Sequence, residues 1–229
     1  LVLRPGKANG GQKIAISYQV FRKEKSAHVE AGDSRKHLKA EKLVPINARF
    51  AQIARKAAAK ASGDLAKGRA IYAHVLKHMR YDKSGKGWGR GDALYACDAR
   101  TGNCTDFHAY FIALCRAIKI PARFAIGFTI PADRDDGPIG GYHCWAEFYA
   151  NGKWVPVDIS EADKYPGLGD YYFGHHPANR FELSQGRDIL TEPAPKAGAF
   201  NYFFGPHLEV DGKVVPVKAS FEFRRLSRK

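Results

Sequence analysis

The sequence predicts an α+β fold in which helices come first and a central helix packs on an antiparallel β-sheet. Three observations support this fold class. Residues 104–119 place apolar side chains at helical spacing, and residues 124–130 carry a large apolar side chain at every second position, as a strand does. Two further strand-like runs flank Asn151-Gly152, a dipeptide typical of two-residue hairpin turns.

Local sequence patterns also predict the secondary structure of the segments before the central helix. Residues 13–21 alternate like a strand, and the charged run 23–42 predicts a long loop or an insertion. Residues 46–61 predict an alanine-rich helix, and Asp64 is a suitable N-cap for a second helix that ends near residue 79. The glycine-rich residues 83–91 predict a flexible loop.

Three regions are expected. Residues 1–45 would carry the N-terminal strand and charged loop, and could be the remnant of a preceding domain. Residues 46–165 would form the core, and residues 166–229 a β extension of the same domain. Strands in this extension are predicted at residues 179–190, at residues 201–204 and on both sides of Asp211-Gly212.

The residues that carry the chemistry are a thiol, an imidazole and a carboxylate. Cys104 opens the central helix directly after Asn103, where free N–H groups and the helix dipole favour an anion. A thiol attacks a carbonyl group as thiolate, so it needs a base, and a carboxylate can orient that base. His143 and Asp158 lie on the two strands of the predicted hairpin. We therefore predict a catalytic triad of Cys104, His143 and Asp158.

The hairpin register decides whether His143 and Asp158 can meet. A two-residue loop places Trp145 opposite Asp158 and His143 opposite Ser160, so that these side chains share one face. His143 and Asp158 then become diagonal neighbours, about 5–8 Å apart at Cβ. A three-residue loop would shift the register by one and turn Asp158 away.

Several neighbouring residues allow two interpretations. Asp106 belongs to the first helical turn, and its charge opposes thiolate formation unless its side chain points away. His108 lies on the same helix face as Cys104 and could touch substrate or make a structural hydrogen bond. Trp145 could pack in the core or shield the imidazole of His143. Cys115 and Cys144 are interpreted as small buried hydrophobic residues, with Cys144 pointing away from His143.

No cofactor or metal is expected. His175-His176 has no third ligand at recognisable spacing, and no CxxC pair supports a zinc site at the cysteines. Four cysteines in 229 residues do not make a disulfide framework, and the role of Cys97 stays open. We find no apolar run of membrane-spanning length and no signal-peptide pattern, although a leader could have been removed. Location stays open, with a periplasmic or secreted one slightly favoured.

The net charge of +14 is concentrated in the N-terminal part of the chain. Residues 1–90 hold 21 Lys/Arg and 6 Asp/Glu, whereas residues 91–229 hold 16 and 17. A solvated basic surface is the simpler interpretation. The alternative is attraction to an anionic surface such as cell-wall material. Nucleic acid is a weaker option, because no nucleic-acid-binding motif accompanies the charge.

Four sequence blocks together resemble one enzyme family. They are Gly102-Asn103-Cys104, LCRAIKIPAR at 114–123, YHCWAE at 142–147 and WVPVD at 154–158. This combination is similar to the transglutaminase-like superfamily of papain-like cysteine enzymes, densely over residues 64–165. The resemblance implies a papain-like α+β core, Cys104 as nucleophile, His143 as general base and acid, and Asp158 as orienting carboxylate. It also points to Trp88 as a second oxyanion donor beside the Cys104 N–H.

The resemblance has two departures. Thr105 follows the nucleophile where animal transglutaminases carry Trp, and no acidic loop is similar to their calcium sites. The expected activity is therefore thiol-dependent acyl transfer on peptide or protein amides, with hydrolysis slightly favoured over transfer to an amine. A non-catalytic module with a basic surface that binds a peptide or a glycan is the alternative.

Overall fold

The computed structural model describes residues 13–226, and it confirms the α+β class. Its α-helices are, in chain order, α1 (Ala48–Ala57), α2 (Gly63–His78), α3 (Ala93–Ala99), α4 (Cys104–Ala117) and α5 (Ile159–Lys164). The sequence patterns predicted α1, α2 and α4 with somewhat different ends. They did not predict α3, whose seven residues are too few to show a clear apolar period.

The strands form a central sheet and smaller pairs. They are β1 (Arg80–Tyr81), β2 (Thr101–Gly102), β3 (Ala122–Thr129), β4 (Asp136–Pro138), β5 (Tyr142–Ala150), β6 (Lys153–Val157), β7 (Arg180–Gln185), β8 (Leu208–Val210), β9 (Lys213–Val215) and β10 (Glu222–Arg224). The central sheet has the order β6-β5-β3-β7, and every neighbouring pair in it is antiparallel. β1 pairs with β2 in parallel, and β4–β10 and β8–β9 pair antiparallel.

Helix α4 is the centre of the molecule rather than a helix with one buried face. All 14 of its residues are buried, because α1, α2, α3, α5 and the sheet pack around it. Apolar residues at helical spacing predict a helix with one buried face, and this expectation from residues 104–119 was wrong for α4. The spacing of apolar residues identifies only the most apolar side of the helix. Asp106, His108 and Arg116 are buried as well, because hydrogen bonds satisfy their polar groups, and the apolar spacing does not indicate this.

The hairpin of β5 and β6 has the predicted register. Ala150 pairs with Lys153 across the Asn151-Gly152 turn, and both turn residues have positive φ angles, as a type I′ turn requires. The ladder ends at Val157, which pairs with Ala146. The predicted opposition of His143 and Ser160 is therefore wrong, since α5 begins at residue 159 and takes Ser160 out of the strand.

The N-terminal arm, residues 13–30, crosses the sheet face that α4 does not cover. Residues 13–24 form no strand, so the strand predicted at 13–21 was wrong, and residues 1–12 of the predicted first region lie outside the described residues. The alternating apolar side chains Ile14, Ile16, Tyr18 and Val20 are half or more exposed. Ion pairs hold the rest of the arm, because Lys25 contacts Glu147 at 2.6 Å and Glu30 contacts Arg123 at 2.9 Å.

The C-terminal region partly follows the prediction. β7 extends the central sheet, and β8 and β9 flank Asp211-Gly212 as expected. The strand predicted at residues 201–204 was wrong, since these residues form a bend whose aromatic side chains pack on one another and on β5. Within residues 13–226, no helix is long and apolar enough to cross a membrane.

Candidate active site

Cys104 is the first residue of α4, and a capping box holds it there. The Asn103 side chain accepts a hydrogen bond from the Thr105 N–H at 2.9 Å, and the Asp106 carboxylate accepts one from the Asn103 N–H at 3.0 Å. Only 3% of Cys104 is exposed. The positive end of the α4 dipole therefore lies beside the buried sulfur, where it favours a thiolate.

His143 and Asp158 form a short, buried hydrogen bond. His143 Nε2 lies 2.6 Å from Asp158 Oδ2, which leaves Nδ1 as the ring nitrogen available to the Cys104 thiol. Asp158 is also the N-cap of α5, and its other oxygen accepts hydrogen bonds from Ser160 Oγ at 3.0 Å and the Glu161 N–H at 3.1 Å. The start of α5 thus fixes the carboxylate behind the imidazole ring.

The charges of these three groups support one another. A hydrogen bond from Cys144 and the nearby His143 hold the pKa of Cys104 well below its usual range, against the effect of burial. Burial alone would lower the pKa of His143, but the charge of Asp158 and hydrogen bonds to Asp158 and Cys104 raise it to about 9. Burial likewise opposes ionisation of Asp158, yet His143 and Arg180 keep its pKa well below the usual range. The site is thus arranged for a thiolate–imidazolium pair.

Arg180, which sequence reasoning missed, completes the surroundings of Asp158. Its Nη2 lies 3.2 Å from Asp158 Oδ2, the oxygen that also binds His143, and 3.5 Å from Glu161 Oε2. Nη1 donates to Thr129 Oγ1 at 2.9 Å. Arg180 begins β7, 22 residues after Asp158, so no local spacing links the two residues. One general argument could have indicated such a residue: a carboxylate that is buried, as Asp158 is, needs a cationic partner.

His108 is occupied by structural hydrogen bonds. Its Nδ1 lies 2.7 Å from the Cys104 carbonyl oxygen and its Nε2 accepts from the Ile159 N–H at 3.0 Å. The ring is therefore neutral with the proton on Nδ1, and burial lowers its pKa. His108 is fully buried and joins the start of α4 to the start of α5, an arrangement that leaves neither ring nitrogen for a substrate.

Cys144 is placed as predicted, on the face of β5 opposite to His143. It is fully buried and belongs to the core cluster that packs around α4. Its Sγ lies 3.9 Å from His108 Nδ1. Cys115 is fully buried in the core cluster.

Asp106 points away from the sulfur and anchors the glycine-rich loop. Its carboxylate accepts hydrogen bonds from the N–H groups of Gly89 at 2.7 Å and Gly91 at 3.0 Å, besides that of Asn103. Gly102 permits this arrangement: its φ is 155°, and a Cβ there would lie 2.5 Å from Asp106 Oδ2. The loop predicted to be flexible is thus tied to α4, and it carries the half-buried Trp88 next to Gly89.

Aromatic residues surround His143 and the start of α4. Trp145 is 1% exposed, and its ring centroid lies 6.2 Å from that of His143, so it packs behind the imidazole rather than in an open cleft. Tyr142 accepts a hydrogen bond from Asn103 Nδ2 at 3.2 Å. Tyr202 packs on Tyr142, with centroids 5.9 Å apart, and donates to the Gly89 carbonyl at 3.0 Å. The C-terminal bend therefore joins the Trp88 loop to β5 beside Cys104.

The described residues contain no group of three or more His, Cys, Asp or Glu placed to hold a metal ion. His176 is 1% exposed and packs on Trp145. Burial holds its pKa well below the usual range. The four cysteines are free thiols.

Comparison with known families agrees with this geometry. The family model of the transglutaminase-like superfamily matches residues 51–159, a range that contains Cys104, His143 and Asp158. Residues 51–159 are thus similar to the core of this superfamily. An uncharacterized protein of Haemophilus influenzae is 30% identical over 213 residues, which cover 79% of this chain and 58% of that protein. The chain thus spans little more than half the length of this curated relative.

Solved structures show more distant similarity. A candidate cysteine protease from Cytophaga hutchinsonii is 22% identical with a TM-score of 0.49, and the match covers 68% of this chain and 55% of that one. The periplasmic domain of TgpA from Pseudomonas aeruginosa is 19% identical with a TM-score of 0.42, over 60% of this chain and 50% of that one.

Proposed function

We propose that this protein is a cysteine-dependent acyl transferase that cleaves amide bonds through Cys104, His143 and Asp158. One observation carries the proposal. Cys104 lies at a helix N-terminus, where the nearby His143 helps to lower the pKa of its thiol, and His143 Nε2 in turn lies 2.6 Å from Oδ2 of the fully buried Asp158. This is the order of nucleophile, base and orienting group that acyl transfer requires.

The mechanism follows from these positions. The Cys104 thiolate attacks the amide carbonyl carbon, and the Cys104 N–H and the Trp88 indole N–H stabilise the oxyanion. The His143 imidazolium gives its proton to the leaving amine as the C–N bond breaks, which leaves a thioester on Cys104. His143, now neutral, removes a proton from the incoming acceptor, and Asp158 stabilises the imidazolium that forms. Collapse of the second intermediate releases the acyl product and restores the thiolate.

We propose water as the acyl acceptor, because it is present at the highest concentration of any nucleophile. The product would then be a carboxylic acid, and the enzyme a peptidase or amidase. A lysine amine in the same position would give an isopeptide bond, as in a transglutaminase. The substrate is proposed to be a peptide or protein amide, and the basic residues 1–90 would attract anionic cell-wall material near a periplasmic or secreted enzyme.

The first test is the pH dependence of Cys104 alkylation by iodoacetamide. We expect rapid labelling well below about pH 8, where an ordinary thiol reacts slowly. The rate should fall strongly in His143→Ala and the label should be absent from Cys104 in Cys104→Ala, while Cys115→Ala serves as a matched control. Labelling that follows an ordinary thiol and ignores His143 would contradict the triad and favour a non-catalytic binding module.

A second assay separates the two acceptors. Wild type and Cys104→Ala are incubated with a fluorescently labelled casein, with and without a dansylated alkylamine. New casein fragments that depend on Cys104 would establish hydrolysis. Dansyl label on intact casein would instead establish transfer to an amine, and the proposal of water as acceptor would be withdrawn.

A further inference from the structure

A cleft of about 380 Å³ lies next to the proposed triad, and the acyl-transfer mechanism does not use it. Its buried lining includes Arg180, whose Nη2 lies 3.2 Å from Asp158 Oδ2. Glu161, in the first turn of α5, lines it as well. So does Thr129, the last residue of β3, which lies beside the start of β5. The cleft is therefore beside the strand end that carries His143.

The charges in the lining of the cleft are balanced within the protein. Arg180 and Glu161 are the charged side chains that line it. Arg180 contacts Asp158 at 3.2 Å and Glu161 Oε2 at 3.5 Å. Glu161 Oε1 in turn accepts a hydrogen bond from Lys164 Nζ at 2.8 Å. A charged ligand would have to compete with these pairs, and a buried charge left without its partner is costly.

The other side of the cleft offers apolar surface to a ligand. Tyr165 and Leu168 line it and are 55% and 46% exposed, and Pro177 and the buried Tyr172 complete this side. An apolar group placed against these side chains gains the free energy of burial and breaks no existing ion pair. A volume of about 380 Å³ is at the small end of the range for ligand pockets. It suits one or two amino-acid side chains better than a large cofactor.

Hydrogen bonds hold the apolar side of the cleft in place. Its central part is one turn of 3-10 helix, Pro166–Leu168. The hydroxyl group of Tyr72, on α2, donates to the Gly169 carbonyl oxygen at 2.8 Å. The backbone N–H of Asp158 donates to the Tyr172 carbonyl oxygen at 3.0 Å. This segment is thus bonded to a residue of the proposed triad, so the cleft is preformed and keeps its position beside the triad.

We propose that this cleft is a substrate subsite, which binds a large apolar side chain on the leaving-group side of a scissile peptide bond. This rests on the proposed function, in which His143 gives its proton to the leaving amine, so that the amine side of the substrate lies toward His143. The cleft lies on that side of Cys104, because Asp158 and Arg180 follow His143 in one series of hydrogen bonds. An extended peptide advances about 3.3 Å per residue, so a residue about three positions after the cleaved bond reaches the cleft.

Binding of a small probe to ¹⁵N-labelled Cys104→Ala protein tests the subsite without catalysis. We expect N-acetyl-phenylalanine N-methylamide to bind in the millimolar range and to shift the amide NMR signals of Tyr165, Leu168 and Tyr172. The corresponding aspartate derivative should bind about tenfold more weakly or worse, because it brings a charge and no apolar ring. Equal binding of the two probes, or signal shifts confined to other parts of the protein, would overturn the proposal.

Leu168→Asp and Leu208→Asp form a matched pair of variants in the same Cys104→Ala background. Leu168 is 46% exposed and lines the cleft, whereas Leu208 is 38% exposed and belongs to β8. Leu168→Asp should weaken binding of the phenylalanine probe about tenfold or more, because it removes apolar surface and adds a charge. Leu208→Asp should leave the affinity unchanged. The same affinity in both variants would contradict a subsite at Leu168.

Substrate cleavage separates failure of the subsite from failure of the proposed function. The protein with Cys104 intact is incubated with a mixed peptide library, and the new N-termini are sequenced by mass spectrometry. We expect large apolar residues to be enriched about three positions after the cleaved bonds, and Leu168→Asp to lose this enrichment. Cleavage without enrichment would overturn the subsite alone. Probe binding in the cleft without any cleavage would overturn the proposed function, and the cleft would stand only as an apolar binding site.

Discussion

Two buried carboxylates, those of Asp106 and Asp158, flank Cys104, and they share no hydrogen-bond partner. Asp106, in the first turn of α4, accepts hydrogen bonds from the backbone N–H groups of Gly89, Gly91 and Asn103. Asp158, at the start of α5, contacts the side chains of His143 and Arg180. Both residues are fully buried. Burial raises the pKa of Asp106 despite the three N–H donors, whereas His143 and Arg180 hold the pKa of Asp158 well below its usual range despite burial.

The difference shows how two aspartates near the same thiol can have two different roles. Backbone N–H donors fix a loop in place and bring no mobile proton, so Asp106 determines where the Trp88 loop lies. Ionisable partners respond to protonation, so Asp158 determines the charge and orientation of His143. Replacing each carboxylate by its amide changes one atom in each region and therefore compares the two tasks directly.

The largest effect is expected for Asp158→Asn. An amide in place of the carboxylate no longer stabilises the His143 imidazolium, and its NH₂ group favours the wrong imidazole tautomer. The corresponding change in a Ser-His-Asp triad lowers kcat by about 10⁴, and we expect a loss of the same order here. The measurement is kcat/KM on the amide substrate found in the casein assay, with far-UV circular dichroism as the control for folding. A loss smaller than about tenfold would contradict the orienting role.

A smaller effect is expected for Trp88→Phe. This change keeps the aromatic ring and removes the indole N–H that we assign to the oxyanion. Loss of one oxyanion donor costs about 10²–10³ in kcat, with KM little changed. Trp145→Phe is the matched control, because Trp145 is buried behind His143 and contributes no oxyanion donor in our mechanism. Equal losses in the two variants would indicate a packing role for Trp88.

The pH profile tests the charges around Asp158. The thiolate–imidazolium pair persists until His143 loses its proton, at a pKa of about 9. Above that value kcat/KM should fall about tenfold per pH unit, because the leaving amine then lacks its acid. The raised pKa of His143 stabilises the fold fully below about 6.5, and this stabilisation is lost as the pH rises through about 9. The lowered pKa of Asp158 stabilises the fold above about pH 4, and that contribution is lost as the pH falls through the folded-state value.

The surroundings of Asp158 and of Asp106 also differ in how far the sequence predicts them. The relative placement of His143 and Asp158 was predictable because a hairpin register is a local property, and the observed ladder has that register. The position of Cys104 at a helix start is a local property as well. Arg180 was not predictable, because β7 joins β3 through contacts distant in sequence.

The contacts of Asp106 could not be predicted for the same reason. Its hydrogen bonds to the glycine-rich loop join two segments, and neither segment's sequence pattern indicates that it contacts the other. The extended arm at residues 13–24 shows a second limit, since alternation predicts a strand but does not supply the neighbouring strand that a ladder needs.

The smallest effect on catalysis is expected for Asp106→Asn. An amide offers one acceptor oxygen instead of two and turns an NH₂ group toward backbone N–H donors, so one buried donor is left unpaired. We expect the free energy of unfolding to fall by about 2 kcal/mol, measured by urea denaturation. The folded fraction should keep kcat/KM within about tenfold of wild type and keep the alkaline limb near pH 9, because the charges of His143 and Asp158 are unchanged. A profile that shifts as in Asp158→Asn would show that Asp106 acts on the thiolate directly, and the division of tasks between the two carboxylates would fail.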